Sequence, residues 1–223
     1  MRNKRIGLLL IIVGVLAILS AGLIWLSNIR EENEAATYSE SVAHTILEQI
    51  KAIPPQDVRP PAITNGTDNN GDVDVPGTDV PGEAQEPVEE YITVEGTAYI
   101  GVLSIPALGL DLPVNRSWSY PALRRTPCRF SGDISSNSLV IAAHNYTRHF
   151  GKISGLDMGE LVMFTTAGGD EYFYQVVNIE VVQPSSTYTV MHSGYDLTLF
   201  TCTYGGQARV VLRCMSLASS TGA

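Results

Sequence analysis

Positive charge is scarce in this sequence. Fourteen Lys and Arg stand against 23 Asp and Glu in 223 residues, a formal net charge of −9. Nucleic acid is bound by clustered cations that neutralise phosphate, so this balance argues against a nucleic-acid partner. Cysteine is also scarce. Cys128, Cys202 and Cys214 are the only three, and an odd number leaves at least one free thiol in an exported chain. None forms a CxxC pair, so neither a zinc ribbon nor a thioredoxin-like site has support. No segment repeats internally, and no metal or cofactor is implied. The stretch DNNGDVDVPGTD, residues 68–79, resembles a calcium loop only faintly. Val73 stands where such a loop needs Gly, and Asp79 where it needs Glu.

Apolar residues are abundant at the start. Ile6 to Leu26 is an apolar run interrupted only by Ser20. At 1.5 Å per residue it is long enough for a hydrocarbon core of about 30 Å. Arg2, Lys4 and Arg5 precede it, whereas Arg30 is followed at once by Glu31, Glu32 and Glu34. The positive-inside bias then puts the N-terminus in the cytoplasm and everything after the helix outside the cell. The run is too long for a signal peptide and ends without a small-x-small site, so an uncleaved anchor is expected.

The expected organisation is a cytoplasmic tail (1–5), a transmembrane anchor (6–27), an extracellular stalk helix (28–53), an acidic linker (54–90), a β-domain (91–217) and a tail (218–223). In the stalk, Val42, Ile46, Leu47, Ile50 and Ile53 recur at helical spacing until Pro54-Pro55. This helix is read as a free stalk rather than one packed on the following domain. From Gln56 to Glu90 there are nine acidic residues and one basic residue, the composition of a solvated spacer.

The last segment mixes apolar and polar residues in short β-type runs separated by turns. Strands are expected over residues 98–105, 110–114, 138–143, 161–165, 171–182, 197–202 and 208–214, with a short helix over 119–125. Seven or eight strands with little helix make an all-β domain, a closed or nearly closed barrel.

Chemistry concentrates in the final hairpin. With Gly205-Gly206 as a two-residue turn, Tyr204 faces Gln207, Thr203 faces Ala208 and Cys202 faces Arg209. A cation beside a thiol favours the thiolate, and a guanidinium presents a planar fork of donors. Arg213, the competing cation, falls opposite Thr198, four residues away along the strand and out of reach. His144 ends the buried run SLVIAA, where a strand hands over to a loop. His44 lies in the stalk helix, and His149 and His192, in polar segments, read as solvated.

These residues resemble the sortase family. TLFTC (198–202) is similar to that family's TLxTC motif, and Arg209-Val210-Val211-Leu212 to the strand that follows it. IAAHNYTRHFG (141–151) resembles the family's strand-then-His segment, with Ala143 where Gly is usual. YIGVLSIPALGLDLPV (99–114) also fits. The resemblance spans about Ala98 to Cys214 and implies an eight-stranded β-barrel. It further implies Cys202 as nucleophile, His144 as general acid and base, and Arg209 as the residue that orients substrate and steadies the oxyanion. Thr201, with Ala143 and Asn145 flanking His144, would contact substrate. The implied reaction cleaves an LPxTG-like sorting signal through a thioacyl-enzyme and transfers it to an amine. Implied partners are surface proteins bearing the signal and a peptidoglycan-precursor amine, or a pilin lysine.

No papain-type sequence surrounds Cys202, which argues against an ordinary thiol protease. The alternatives to a transpeptidase are a thiol hydrolase and a non-enzymatic surface β-domain. An Asp-Pro-aromatic lid and a C-terminal membrane helix, frequent in pilin-polymerising relatives, are not seen. A housekeeping or class D/E-like type is the expected subclass, and not a class C-like one. Cys128 and Cys214 are either a disulfide or two buried thiols.

Overall fold

The computed structural model describes residues 2–53, 90–192 and 194–217. The expected linker up to residue 89, the calcium-like stretch within it and the tail 218–223 lie outside the described residues.

Helix α1 (Arg2–Lys51) is one unbroken helix of 50 residues. The segments expected as anchor and stalk are therefore a single rod. No Gly or Pro occurs from Leu23 to Ile53 to interrupt the hydrogen-bond ladder. The apolar half is exposed along Leu10 to Leu26, and α1 is the one helix among the described residues with the length and composition to cross a membrane.

The other half of α1 is not a free stalk. Val42, Ala43 and Ile46 are buried against Tyr99 and Val102, with Tyr38, Leu47, Ile50, Ile92 and Val94 at the margin. Ala35, Ala36 and Ser39 are buried one and two turns earlier. Small side chains at these positions let the helix axis approach closely. Fully burying a Val or Ile contributes about 1.5–3 kcal/mol, reason enough for the stripe to seek the sheet rather than water.

Among the described residues the β-domain has nine strands: β1 (Ile92–Val94), β2 (Thr97–Ile105), β3 (Leu110–Asn115), β4 (Cys128–Ser131), β5 (Leu139–Ala142), β6 (Leu161–Thr166), β7 (Glu171–Val182), β8 (Leu197–Cys202) and β9 (Arg209–Ser216). The order is β1-β2-β3-β4-β5-β8-β9-β7-β6, and β2 also pairs with β6. Strands β2 to β9 thus close an eight-stranded barrel, and β1 is a short addition at its edge. Closure depends on Gly101. There β2 changes register against β3 while pairing with Thr166 of β6. A Cβ at Gly101 would lie 2.1 Å from the Thr165 carbonyl oxygen.

The barrel interior is filled by alternate residues, including Leu103, Ile105, Leu139, Ile141, Phe164, Leu197, Leu199, Leu212 and Cys214. The opposite faces of β5, β8 and β9 carry Val140, Phe200 and Val211, which pack under Val190. Val190 belongs to α3 (Thr187–Met191), a five-residue helix in the β7–β8 connection. A second short helix, α2 (Tyr120–Leu123), is capped by Ser119, whose hydroxyl accepts from the Ala122 amide.

Candidate active site

Strands β5 and β8 run parallel, with Ala142 level with Phe200. The ladder continues one step further, because the Ala143 amide donates to the Phe200 carbonyl at 3.1 Å. His144 follows one residue later, on the loop after β5, and Cys202 is the last residue of β8. Neighbouring strands lie about 4.8 Å apart, and residues of equal parity share a face. Cys202 therefore shares the outer face of the barrel with Phe200, whereas His144 lies past the end of β5 and does not line the cavity on that face. Beneath them Thr201 is buried, and its Oγ1 donates to the Ala143 carbonyl at 2.8 Å. This bond ties the last turns of β5 and β8 together.

Cys202 also pairs with Arg209 across the antiparallel β8–β9 ladder, as the sequence predicts. The turn differs from expectation. It is a four-residue connection, with the Thr203 amide donating to Ala208 and the Gly206 amide to Thr203. Gly205 takes φ +84° at the position of the tight turn that requires it. Thr203 Oγ1 also accepts from the Ala208 amide, so its side chain competes for the backbone that a two-residue turn would have used. Tyr204 is left fully exposed with no facing residue. The Arg209 guanidinium is turned over this hairpin, donating from Nη1 to the carbonyls of Gly206 and Ala208.

Cys202 and Arg209 stand at the edge of a cavity of ≈ 270 Å³ lined also by Trp118, Tyr120, Phe130, Val190 and Phe200. Its aromatic wall is continuous. Tyr120 meets Trp118, Trp118 meets Phe130 and Phe130 meets Phe200, all edge to face, with centroids 5.0–5.8 Å apart. Ala143 and Thr201 line the same cavity, whereas Asn145 is half-buried on the following loop and does not.

His144 is half-buried and stacks on Tyr146, with centroids 4.8 Å apart and an interplanar angle of 22°. Burial holds its pKa below the ordinary imidazole range. The Glu31 carboxylate opposes that shift and the Arg124 cation adds to it. His149 is not the solvated residue expected. It is fully buried, and burial with the nearby His144 lowers its pKa to about 4. His44 and His192 are exposed, His192 stacking on Tyr188.

Arg213 is buried and fully engaged. Nε and Nη2 donate to Glu180 Oε1, and Nη1 to Thr198 Oγ1 and the Val190 carbonyl. It holds α3 over the cavity and does not itself line the cavity at which Cys202 stands. Cys128 and Cys214 are buried free thiols, each raised by burial to about 12, so no bridge joins them. Cys214 belongs to the barrel interior, where apolar packing explains it.

Sequence reasoning did not find the aromatic wall or the part played by α1. Trp118 and Tyr120 belong to a segment with no strand pattern, and Phe130 lies in an unrecognised four-residue strand. The local acidic run Glu31-Glu32 was the available signal for the α1 contacts, but it reads equally as solvated surface.

The chain matches the sortase domain over residues 103–217. Sortase A from Corynebacterium diphtheriae aligns with a TM-score of 0.50 at 20% identity, over 57% of this chain and 64% of that one. A Clostridium perfringens sortase D5 transpeptidase gives 0.49 at 24% identity, over 54% and 79%. Sortase C1 from Streptococcus agalactiae gives 0.48 at 24% identity, over 57% and 72%. The likeness to the Corynebacterium protein speaks for the fold alone. None of the curated proteins compared with the chain matches it. Because the domain match runs over more than half of its length, this chain belongs to the sortase family, whose members are cysteine transpeptidases.

Proposed function

We propose that this protein is a membrane-anchored transpeptidase that cuts an LPxTG-like sorting signal and joins it to an amine. What supports the reading is the parallel pairing of β5 and β8, which ends with Ala142 level with Phe200, two residues short of His144 and Cys202, together with the apolar cavity at whose edge Cys202 and Arg209 stand. Cys202 Sγ, as thiolate, attacks the scissile carbonyl carbon. The C–N bond breaks, and the leaving amine takes a proton from His144. The thioester that remains is attacked by the incoming amine, whose proton passes to His144 as the C–S bond breaks. Arg209 sits across from the thiol, and swinging its guanidinium off the hairpin carbonyls would bring its donors to the developing oxyanion. The aromatic wall takes the apolar residues ahead of the scissile bond. The acceptor is a cell-wall precursor amine or a pilin lysine, and the catalytic domain faces outward.

The test uses the full chain in detergent micelles with a quenched LPxTG-type peptide and an added amine. Turnover is expected to vanish in Cys202→Ala and to fall about 10²–10⁴-fold in His144→Ala. Full turnover in Cys202→Ala removes the assignment. A product unaltered by the added amine makes the protein a hydrolase instead.

A further inference from the structure

Three consecutive residues of the loop after His144 are each held by a carboxylate of α1. The Tyr146 hydroxyl donates to Glu31 Oε1 at 3.0 Å, the Thr147 amide donates to Glu32 Oε1 at 2.6 Å, and Arg148 pairs with Glu40. Beneath this row, Ala35, Ala36 and Ser39 are buried and bring the helix close. The Tyr146 ring that Glu31 holds is the ring stacked on His144. His149 closes the same loop and is sealed from solvent. Within the loop, the His149 and Gly151 amides bond to the Tyr146 carbonyl and the Phe150 amide to that of His144. The outer side of the loop is therefore fastened by the helix that continues into the apolar anchor.

We propose that Glu31 and Glu32 are positioning residues of the active site: Glu31 sets the imidazole of His144 through Tyr146, and Glu32 fixes the loop at the Thr147 amide. The inference rests on the catalytic reading of His144 and Cys202 given above. A loop that could lean away by 1 Å would misplace the imidazole relative to the sulfur, and errors of that size cost up to about 100-fold in rate. The charged groups that act on His144 are Glu31 from α1 and Arg124 from the end of α2; Tyr146 of its own loop stacks on the ring, and His149 of the same loop is itself lowered by His144. Arg124 also lies 3.9 Å from Glu31, an exposed pair of little strength.

The experiment uses the full chain in micelles and begins with Cys202→Ala and His144→Ala. Loss of turnover in both establishes the site. Their retention overturns the catalytic reading, and the proposal with it. Given an established site, Glu32→Ala and Tyr146→Phe are expected to lower kcat about tenfold with KM nearly unchanged, whereas Glu32→Gln, which keeps an acceptor oxygen, restores most of it. Glu34→Gln, a change at an exposed position of the same helix, leaves the rate as it was. Glu31→Gln removes a negative charge that supports imidazolium, so the limb of the pH–rate profile belonging to His144 moves to lower pH. Amide exchange at Thr147 accelerates in Glu32→Ala while the β5 and β8 amides keep their protection, which separates loop release from loss of fold. Wild-type kcat, an unmoved limb and unchanged exchange at Thr147, with Cys202→Ala inactive, would overturn the positioning roles alone.

Discussion

His149 is the residue whose burial is hardest to reconcile with its chemistry. Neither ring nitrogen has a hydrogen-bond partner among the described residues, and the side chain is fully buried. Burial favours the neutral ring and lowers the pKa to about 4. An unfolded chain binds that proton near pH 6.5. The contribution is thus complete above about pH 6.5 and is lost as pH falls from there toward 4, by about 3 kcal/mol. His149→Phe is expected to flatten the stability profile between pH 7 and 4, measured by denaturant midpoints of the micelle-bound chain. An equally steep profile in the variant would reject this account. Arg213 makes a second residue-scale case. Arg213→Met removes the donors to Glu180, Thr198 and the Val190 carbonyl, a loss of about 2–3 kcal/mol. Since Val190 lines the cavity, KM for the peptide should rise more than kcat falls.

At the scale of elements, the docking of α1 and the closure of the barrel each hang on few positions. Ile46 is completely buried between the helix and β2. Ile46→Ala is expected to cost about 2–4 kcal/mol and to open α1 to limited proteolysis while the barrel survives. At Gly101 an added methyl meets backbone and cannot be relieved by rotating a side chain. Gly101→Ala should therefore destabilise the barrel as a whole by about 3 kcal/mol, seen as a lower melting temperature.

These elements also show what the sequence made legible. The long strands β2, β7 and β8 have β-branched or alternating runs, and their boundaries are read within about two residues. The Cys202–Arg209 pairing followed from Gly205-Gly206 even though the turn itself is longer. Strand β4, CRFS, has neither length nor alternation, and it is stabilised by its neighbours rather than by its own pattern. The docking of α1 was missed for a similar reason. An apolar stripe states that a face is buried and leaves open what covers it. The three carboxylate contacts join residues about 110 positions apart in the chain, a separation over which local pattern carries no information.

For the whole molecule, the barrel and the helix form one unit. Tyr99 and Val102, both buried, are covered on their outer side by α1. A chain shortened to residues 90–217 exposes that apolar face, so it should associate with itself or with detergent more readily than the full chain. Sedimentation of the two forms at equal concentration would show it. The unbroken rod has one more consequence. Glu31, which touches the loop bearing the imidazole, is only five positions beyond Leu26, the end of the apolar run. At 1.5 Å per residue that is about 8 Å. On the proposed function, with the apolar half seated in lipid, the reaction would take place at a fixed altitude just above the bilayer. A membrane-borne substrate would then have to present its scissile bond at that same height, so the spacing between its own membrane segment and the cut site would act as a ruler for selection.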